Sequence, residues 1–159
     1  MKKIIIAVLG VLLLAGCGSK KIIDEERDFA RDVWNRFTHE EFEVEVRNID
    51  DYYNIDLTAM VDTAVFRYST LPLTVNIFSP AGERRLFYTA IPLKESDRWK
   101  GEMKDGKREV TARVRTFFSF NSKGTHKIEI GQATSQYNLE GIGGIRLTIT
   151  NTKVDYNDL

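Results

Sequence analysis

One cysteine, three prolines, two histidines and no net charge are what this 159-residue chain has to work with. A single cysteine cannot close a disulfide within the chain, so the fold must rest on its core. A chain of this size can do so, burying roughly two-thirds of its unfolded surface. With 23 basic and 23 acidic residues in balance, a general electrostatic grip on nucleic acid is excluded. Two histidines beside one cysteine are poor material for a zinc site. Long apolar runs are also scarce. The single one, Ile4 to Leu14, is too short for a membrane span of about 20 residues.

That run fits an export signal, whose apolar core is roughly 7–15 residues long. Lys2 and Lys3 supply the positive start, and Leu14-Ala15-Gly16-Cys17 follows. The last four residues resemble the lipobox of bacterial lipoproteins, in which small residues precede a cysteine whose sulfur takes a diacylglyceryl group. Cys17 is the expected lipid attachment site, with residues 1–16 removed. Each methylene buried in a bilayer contributes about 0.8 kcal/mol, so several acyl chains anchor firmly. Gly18, rather than Asp, follows Cys17, which favours the outer membrane. The acidic residues begin only at Asp24, which favours the periplasmic side.

Residues 17–27 hold few apolar side chains and read as a lipidated tether, spanning up to about 30 Å if extended. Residues 28–159 read as one domain. Phe29, Val33 and Phe37 have helical spacing but run directly into strand-like sequence. From Phe42 the period is two: Phe42, Val44 and Val46; Tyr53 to Val61; Leu73, Val75 and Ile77; Val110, Ala112 and Val114; Ile128 and Ile130; Ile145, Leu147 and Ile149. Each alternates with polar residues, as a half-buried strand must. Asn48 to Asp51, Ser79 to Gly82 and Asn121 to Gly124 read as turns, and Asp105-Gly106 as a tight hairpin. About eight short strands and no long helix predict an all-β, antiparallel two-sheet sandwich. A jelly roll is favoured on strand count, with an immunoglobulin-like sandwich as the alternative.

Few residues offer chemistry. His39 lies in a polar turn, and His126 shares the alternation of Ile128 and Ile130, so both read as structural. No Gly-x-Ser-x-Gly elbow is present. Glu43, Glu45, Asp50, Asp51 and Asp56 read as solvated strand and turn residues rather than a glycosidase pair or a calcium loop. Gly141 to Gly144 lacks the lysine and helix of a phosphate loop. Arg84, Arg85, Lys107, Arg108, Arg113 and Arg115 form a basic stripe that can guard a sheet edge. Neither catalytic residues, nor a metal, nor a cofactor is expected. Trp34 and Trp99, with Tyr52, Tyr68 and Tyr137 near turns, are candidates for stacking on a sugar, though large aromatics are more often core.

Several landmarks resemble one family. They are Trp34, then Phe42-Glu43-Val44-Glu45-Val46 and Tyr53-Asn54-Ile55-Asp56-Leu57, followed by Phe66-Arg67-Tyr68, Pro80-Ala81-Gly82 and Trp99-Lys100-Gly101. The densest set is Gly124 to Gln132, Leu139-Glu140-Gly141-Ile142 and Gly144 to Ile149. Their order and spacing, over residues 28–151, resemble the gliding motility lipoprotein GldH family of Bacteroidota. Two positions depart from it: the family tends to carry an aromatic where His126 stands and Asp-Gly where Ala81-Gly82 stands. The resemblance also implies extended chain around Trp34 rather than helix. It implies a lipid-anchored, non-enzymatic envelope protein whose partners are other envelope proteins of the gliding or secretion machinery. A glycan-binding lipoprotein of the same fold is the alternative expectation.

Overall fold

The alternating segments fold as strands because each has one apolar face to bury and one polar face to leave in water. A computed structural model describes residues 20–152. Cys17, the export signal and the last seven residues lie outside the described residues. Thirteen strands follow: β1 Lys21–Asp28, β2 Val33–Asn35, β3 Glu40–Val46, β4 Tyr52–Val61, β5 Thr70–Phe78, β6 Arg84–Pro92 and β7 Lys94–Glu95. Then come β8 Arg98–Trp99, β9 Glu102–Lys104, β10 Lys107–Phe118, β11 Gly124–Gln132, β12 Asn138–Glu140 and β13 Ile142–Thr152. A one-turn 3-10 segment, Ala30–Asp32, separates β1 from β2, so the chain around Trp34 is extended rather than helical.

Eight long strands make two sheets, in the order β1-β13-β4-β10 (extended at its edge by β9) and β3-β11-β5-β6. Numbered along the chain, these orders are 1-8-3-6 and 2-7-4-5. Successive long strands therefore cross between the sheets, and among these eight only β5 and β6 form a direct hairpin. That is the connectivity of a jelly roll; an immunoglobulin sandwich would place the first two strands side by side. Every pairing is antiparallel. The inner faces meet through Phe42, Val44, Ile55, Leu57, Leu73, Val75, Ile128, Ile130, Ile145 and Leu147, all buried. The expected Asp-Gly hairpin joins β9 to β10 with both Asp105 and Gly106 in left-handed conformation, the type I′ signature.

Two strands lack a readable alternation. Residues 21–27, expected to be tether, belong to β1, so the domain begins at Lys21 rather than at residue 28. Only Ile22 and Ile23 are apolar there, because β1 is an edge strand held largely by polar pairing with β13. Asp24 accepts from Thr148, and Glu26 pairs with Arg146 at 2.5 Å. The Arg146 guanidinium continues to Glu109 at 3.0 Å, and Lys104 reaches the same carboxylate at 3.3 Å. Hydrogen bonding from Arg146 holds the Glu109 carboxyl below the usual range. With Thr58 and Thr111 joined at 2.7 Å, the outer face of this sheet is a polar ladder crossing its strands. The second unread strand, β6, is the edge of the other sheet, and its inward residues include Arg85 and Thr89 beside Phe87 and Ile91.

The strand directions define two ends. One end, where β1 starts, carries the β3–β4, β5–β6 and β10–β11 connections. The opposite end carries the β2–β3 turn, the β4–β5 connection and the β11–β12 loop.

Candidate functional site

Trp34 cannot serve as a stacking surface. It is 1% exposed, its ring packs on Phe29 at 4.6 Å, and its Nε1–H donates to the Thr38 carbonyl at 3.1 Å. Trp99 is half-buried against the core, and the Lys94 ammonium sits 4.3 Å from its ring centre. The two tryptophans therefore act as packing residues.

The basic stripe is taken up internally. Arg113 makes a two-point contact with Asp56 at 2.8 and 3.0 Å, and Lys107 pairs with Asp32 at 3.1 Å. Arg85 pairs with Glu83, Arg84 donates twice to Asn76, and Arg108 donates to the Gly101 carbonyl. The Arg115 guanidinium lies over the Phe87 ring at 3.8 Å. The Arg115–Phe87 contact bridges β10 and β6. Three of the five acidic candidates are occupied as well. Asp56 is matched by Arg113, Glu45 accepts from Thr125, and Asp51 accepts from the amides of Asn48 and Asn151.

His39 is exposed, filling the space that Gly131 leaves by having no side chain. His126 is 1% exposed and lies edge-on to Phe120. Its Nδ1 stands 3.2 Å from the Gly124 carbonyl and its Nε2 3.5 Å from the Ser122 hydroxyl. Burial pushes its pKa down, so the ring is neutral at pH 7. The pair resembles a nucleophile and base, but a carbonyl occupies the place of an orienting carboxylate. The adjoining cavity is about 10 Å³, room for one water and no substrate. Among the described residues, no three His, Cys, Asp or Glu side chains are grouped to hold a metal ion.

The end opposite the start of β1 is different. Two adjoining hollows of about 330 and 170 Å³ share Tyr68 and Gln136 as a common wall. Val65, Arg67, Asn138, Leu139 and Glu140 line the larger, and Thr70, Pro72, Thr134 and Ser135 the smaller. Tyr68 is 51% exposed and Tyr137 is 67% exposed, so neither aromatic is there to fill a core. Phe37, also exposed, sits 5.9 Å from Tyr137, ring centre to ring centre.

The walls are held rigidly from beneath. Asp62 starts the β4–β5 connection with an Asx turn, its carboxylate accepting from the Ala64 amide at 2.9 Å. Phe66 then plugs into the core and meets Tyr68 edge-on at 5.4 Å. Gly141, at φ +87°, passes so close to the Phe66 backbone that a Cβ there would lie 2.7 Å from its nitrogen. On the other wall, the buried Gln132 side chain donates to the Gln136 carbonyl and accepts from both the amide and hydroxyl of Thr134. Asn35 donates to Asn138 at 2.9 Å, and the Arg36 amide donates to the Tyr137 carbonyl at 2.7 Å. Aromatic faces, amides and hydroxyls are thus presented on a preformed support, as in a ligand-binding cleft.

Tyr68 and Tyr137 were readable as turn aromatics. Gln136 and Asn138, which line the groove, and Phe37, exposed beside Tyr137, were not, because nothing local separates such residues from any other in a loop. Three of the landmarks quoted above, Phe66-Arg67-Tyr68, Gln132 and Leu139-Glu140-Gly141, converge at this groove.

Fold and site together define a jelly-roll domain with a groove, lined in part by Tyr68, open at the end opposite the start of β1. A family model described as GldH lipoprotein matches residues 21–149, from the first residue of β1 into β13, and the chain belongs to that family. It is thereby a GldH-type lipoprotein, associated with the cell envelope through lipid. No curated protein matches the chain. Among the described residues no helix is long and apolar enough to cross a membrane.

Proposed function

We propose that this protein is a non-enzymatic, lipid-anchored component of the envelope machinery for gliding or secretion. It is held by acyl chains on Cys17 at the periplasmic side of the outer membrane, and it docks another envelope protein through the Tyr68 groove and the exposed Tyr137 and Phe37 beside it. The carrying observation is the pairing of a rigid support with exposed aromatics. Tyrosine gives large contact area at small entropic cost and recurs where interfaces concentrate their energy. Membership in the GldH lipoprotein family supports the envelope setting.

The test is a photo-crosslinking amino acid placed at Tyr137 in cells, with Thr148 on the opposite sheet's polar ladder as control. A discrete crosslinked envelope protein at 137 and none at 148 is the expected result. No specific product at 137, with normal membrane association, would sink the docking reading.

A second reading is favoured by the composition of the groove itself. Tyr68 with the Gln136 amide, Thr70 and Ser135 are groups that bind neutral polysaccharide by stacking and hydrogen bonding. Retention on immobilised envelope polysaccharide, lost on Tyr68→Ala, would favour it over a protein partner.

A further inference from the structure

The chain leaves very little slack between lipid and domain. The Lys20 carbonyl already accepts a hydrogen bond from the Asn151 amide of β13 at 2.8 Å, and β1 starts at Lys21. Two residues, Gly18 and Ser19, separate Cys17 from Lys20, a reach of about 10 Å at full extension. If Cys17 carries the lipid, the end of the sandwich where β1 starts cannot stand far from the bilayer. Charge alone gives that end no reason to bind a membrane. The hollow beside the start of β1, about 260 Å³, mixes Lys20, Lys21 and Arg47 with Glu45 and Asp51.

Two apolar side chains on the same end are exposed without any internal role. Ile49, in the β3–β4 connection, is 43% exposed, and Phe117, near the end of β10, is 58% exposed. Phe117 is turned out by the backbone. The β10–β4 register shifts twice, between Arg113 and Arg115 and again between Arg115 and Phe118, and Phe117 sits at φ +49°. A bulky residue rarely adopts that left-handed conformation, and bulges commonly serve to re-aim a side chain. Here the neighbours point inward: Phe118 packs on Phe120 at 5.0 Å, and Phe120 packs on Tyr53 at 5.3 Å. Tyr53 in turn donates through its hydroxyl to the Asn48 carbonyl at 3.3 Å, which joins the Ile49 loop to the same cluster.

We infer that Ile49 and Phe117 form a membrane-contact surface, dipping into the boundary between headgroups and acyl chains of the leaflet that holds the Cys17 lipid. The domain then stands upright on its β1-start end and directs the Tyr68 groove away from the bilayer. Interfacial apolar side chains enter such a boundary to a depth of roughly 5–10 Å, within reach of a tether this short. The inference rests on lipidation at Cys17 and is independent of what the groove binds.

The test uses the full acylated protein reconstituted in phosphatidylcholine vesicles, with and without bromine on the acyl chains. Phe117→Trp, Ile49→Trp and Tyr68→Trp each add a fluorophore, and the parent protein with Trp34 and Trp99 is the blank. Bromolipid should quench the added emission at 117 and at 49 by roughly half and leave that at 68 nearly unchanged. Position 49 reads the surface even if the strained site at 117 rejects tryptophan. An acylated protein unquenched at either position, or quenched more at 68, overturns the membrane-contact surface alone. A mature chain whose mass shows no acyl group on Cys17 overturns the lipid anchor and this inference with it.

Discussion

At the end where β1 starts, the loops around His126 pack closely on one another. His126, Phe118 and Tyr53 each meet Phe120 edge-on, Arg85 donates to the Ser119 carbonyl, and the hollow beside His126 holds at most one water. A second hollow of about 260 Å³ opens beside the start of β1. At the other end the loops are equally well supported but hold a groove open, because Phe66 and Gln132 stiffen the walls from beneath. Both ends spend buried residues on rigidity. They differ in how the remaining aromatics are placed: clustered inward around Phe120 at one end, with Phe117 turned out, and left exposed as Tyr68, Tyr137 and Phe37 at the other.

The largest expected effect comes from removing the pin under the groove. Phe66→Ala deletes a buried aromatic and should cost about 3–5 kcal/mol by urea unfolding. In whatever fraction folds, it should also abolish crosslinking from position 137. Unchanged crosslinking would break the link between support and site.

The opposite end should respond to acid. Burial lowers the His126 pKa in the folded state below the ordinary imidazole value of 6.5. Below that pH the unfolded chain takes up a proton that the folded chain refuses, so stability falls as pH drops from 6.5 towards the folded value. His126→Phe, which installs the aromatic that the family tends to carry, should keep the fold and flatten this slope. Urea midpoints at pH 7.5 and 5.0 for both proteins check it. An equal fall in the variant would move the acid sensitivity elsewhere.

The smallest effect on stability should accompany the cleanest effect on function. Tyr137→Ala removes an exposed ring and should change unfolding free energy by less than about 0.5 kcal/mol. It should nevertheless weaken partner or polysaccharide binding about tenfold or more, as loss of an interface aromatic does. A loss of stability without a loss of binding would reverse the contrast between the two ends.

The central strands were legible because they satisfy two demands at once. β4 and β13 face a core on one side, so Tyr53, Ile55 and Leu57, or Ile145, Leu147 and Ile149, repeat at every second residue. Edge strands are under weaker demand. β1 is held by Asp24, Glu26 and Arg27 reaching across to neighbours that no local window contains, and Arg27 donates to the Glu41 carbonyl of the facing sheet. A charged segment of that kind is indistinguishable from tether until its partners are in place. The tryptophans show the reverse problem. Their size made them candidates for a platform, but size also suits the core, and only the surrounding packing separates the two uses.

By itself the sequence determined the all-β class, the central strands and their inward faces, the Asp-Gly hairpin and the family resemblance. Each of these depends on near neighbours: period-two burial, a turn that needs left-handed backbone, and landmarks in a fixed order. Tertiary structure alone decided the jelly-roll connectivity, the edge strands, the internal partners of the arginine stripe and the groove. In each of those the participating residues are far apart in the chain, as Glu26 is from Arg146 and Tyr68 from Gln136, and only the closing of two sheets brings them together.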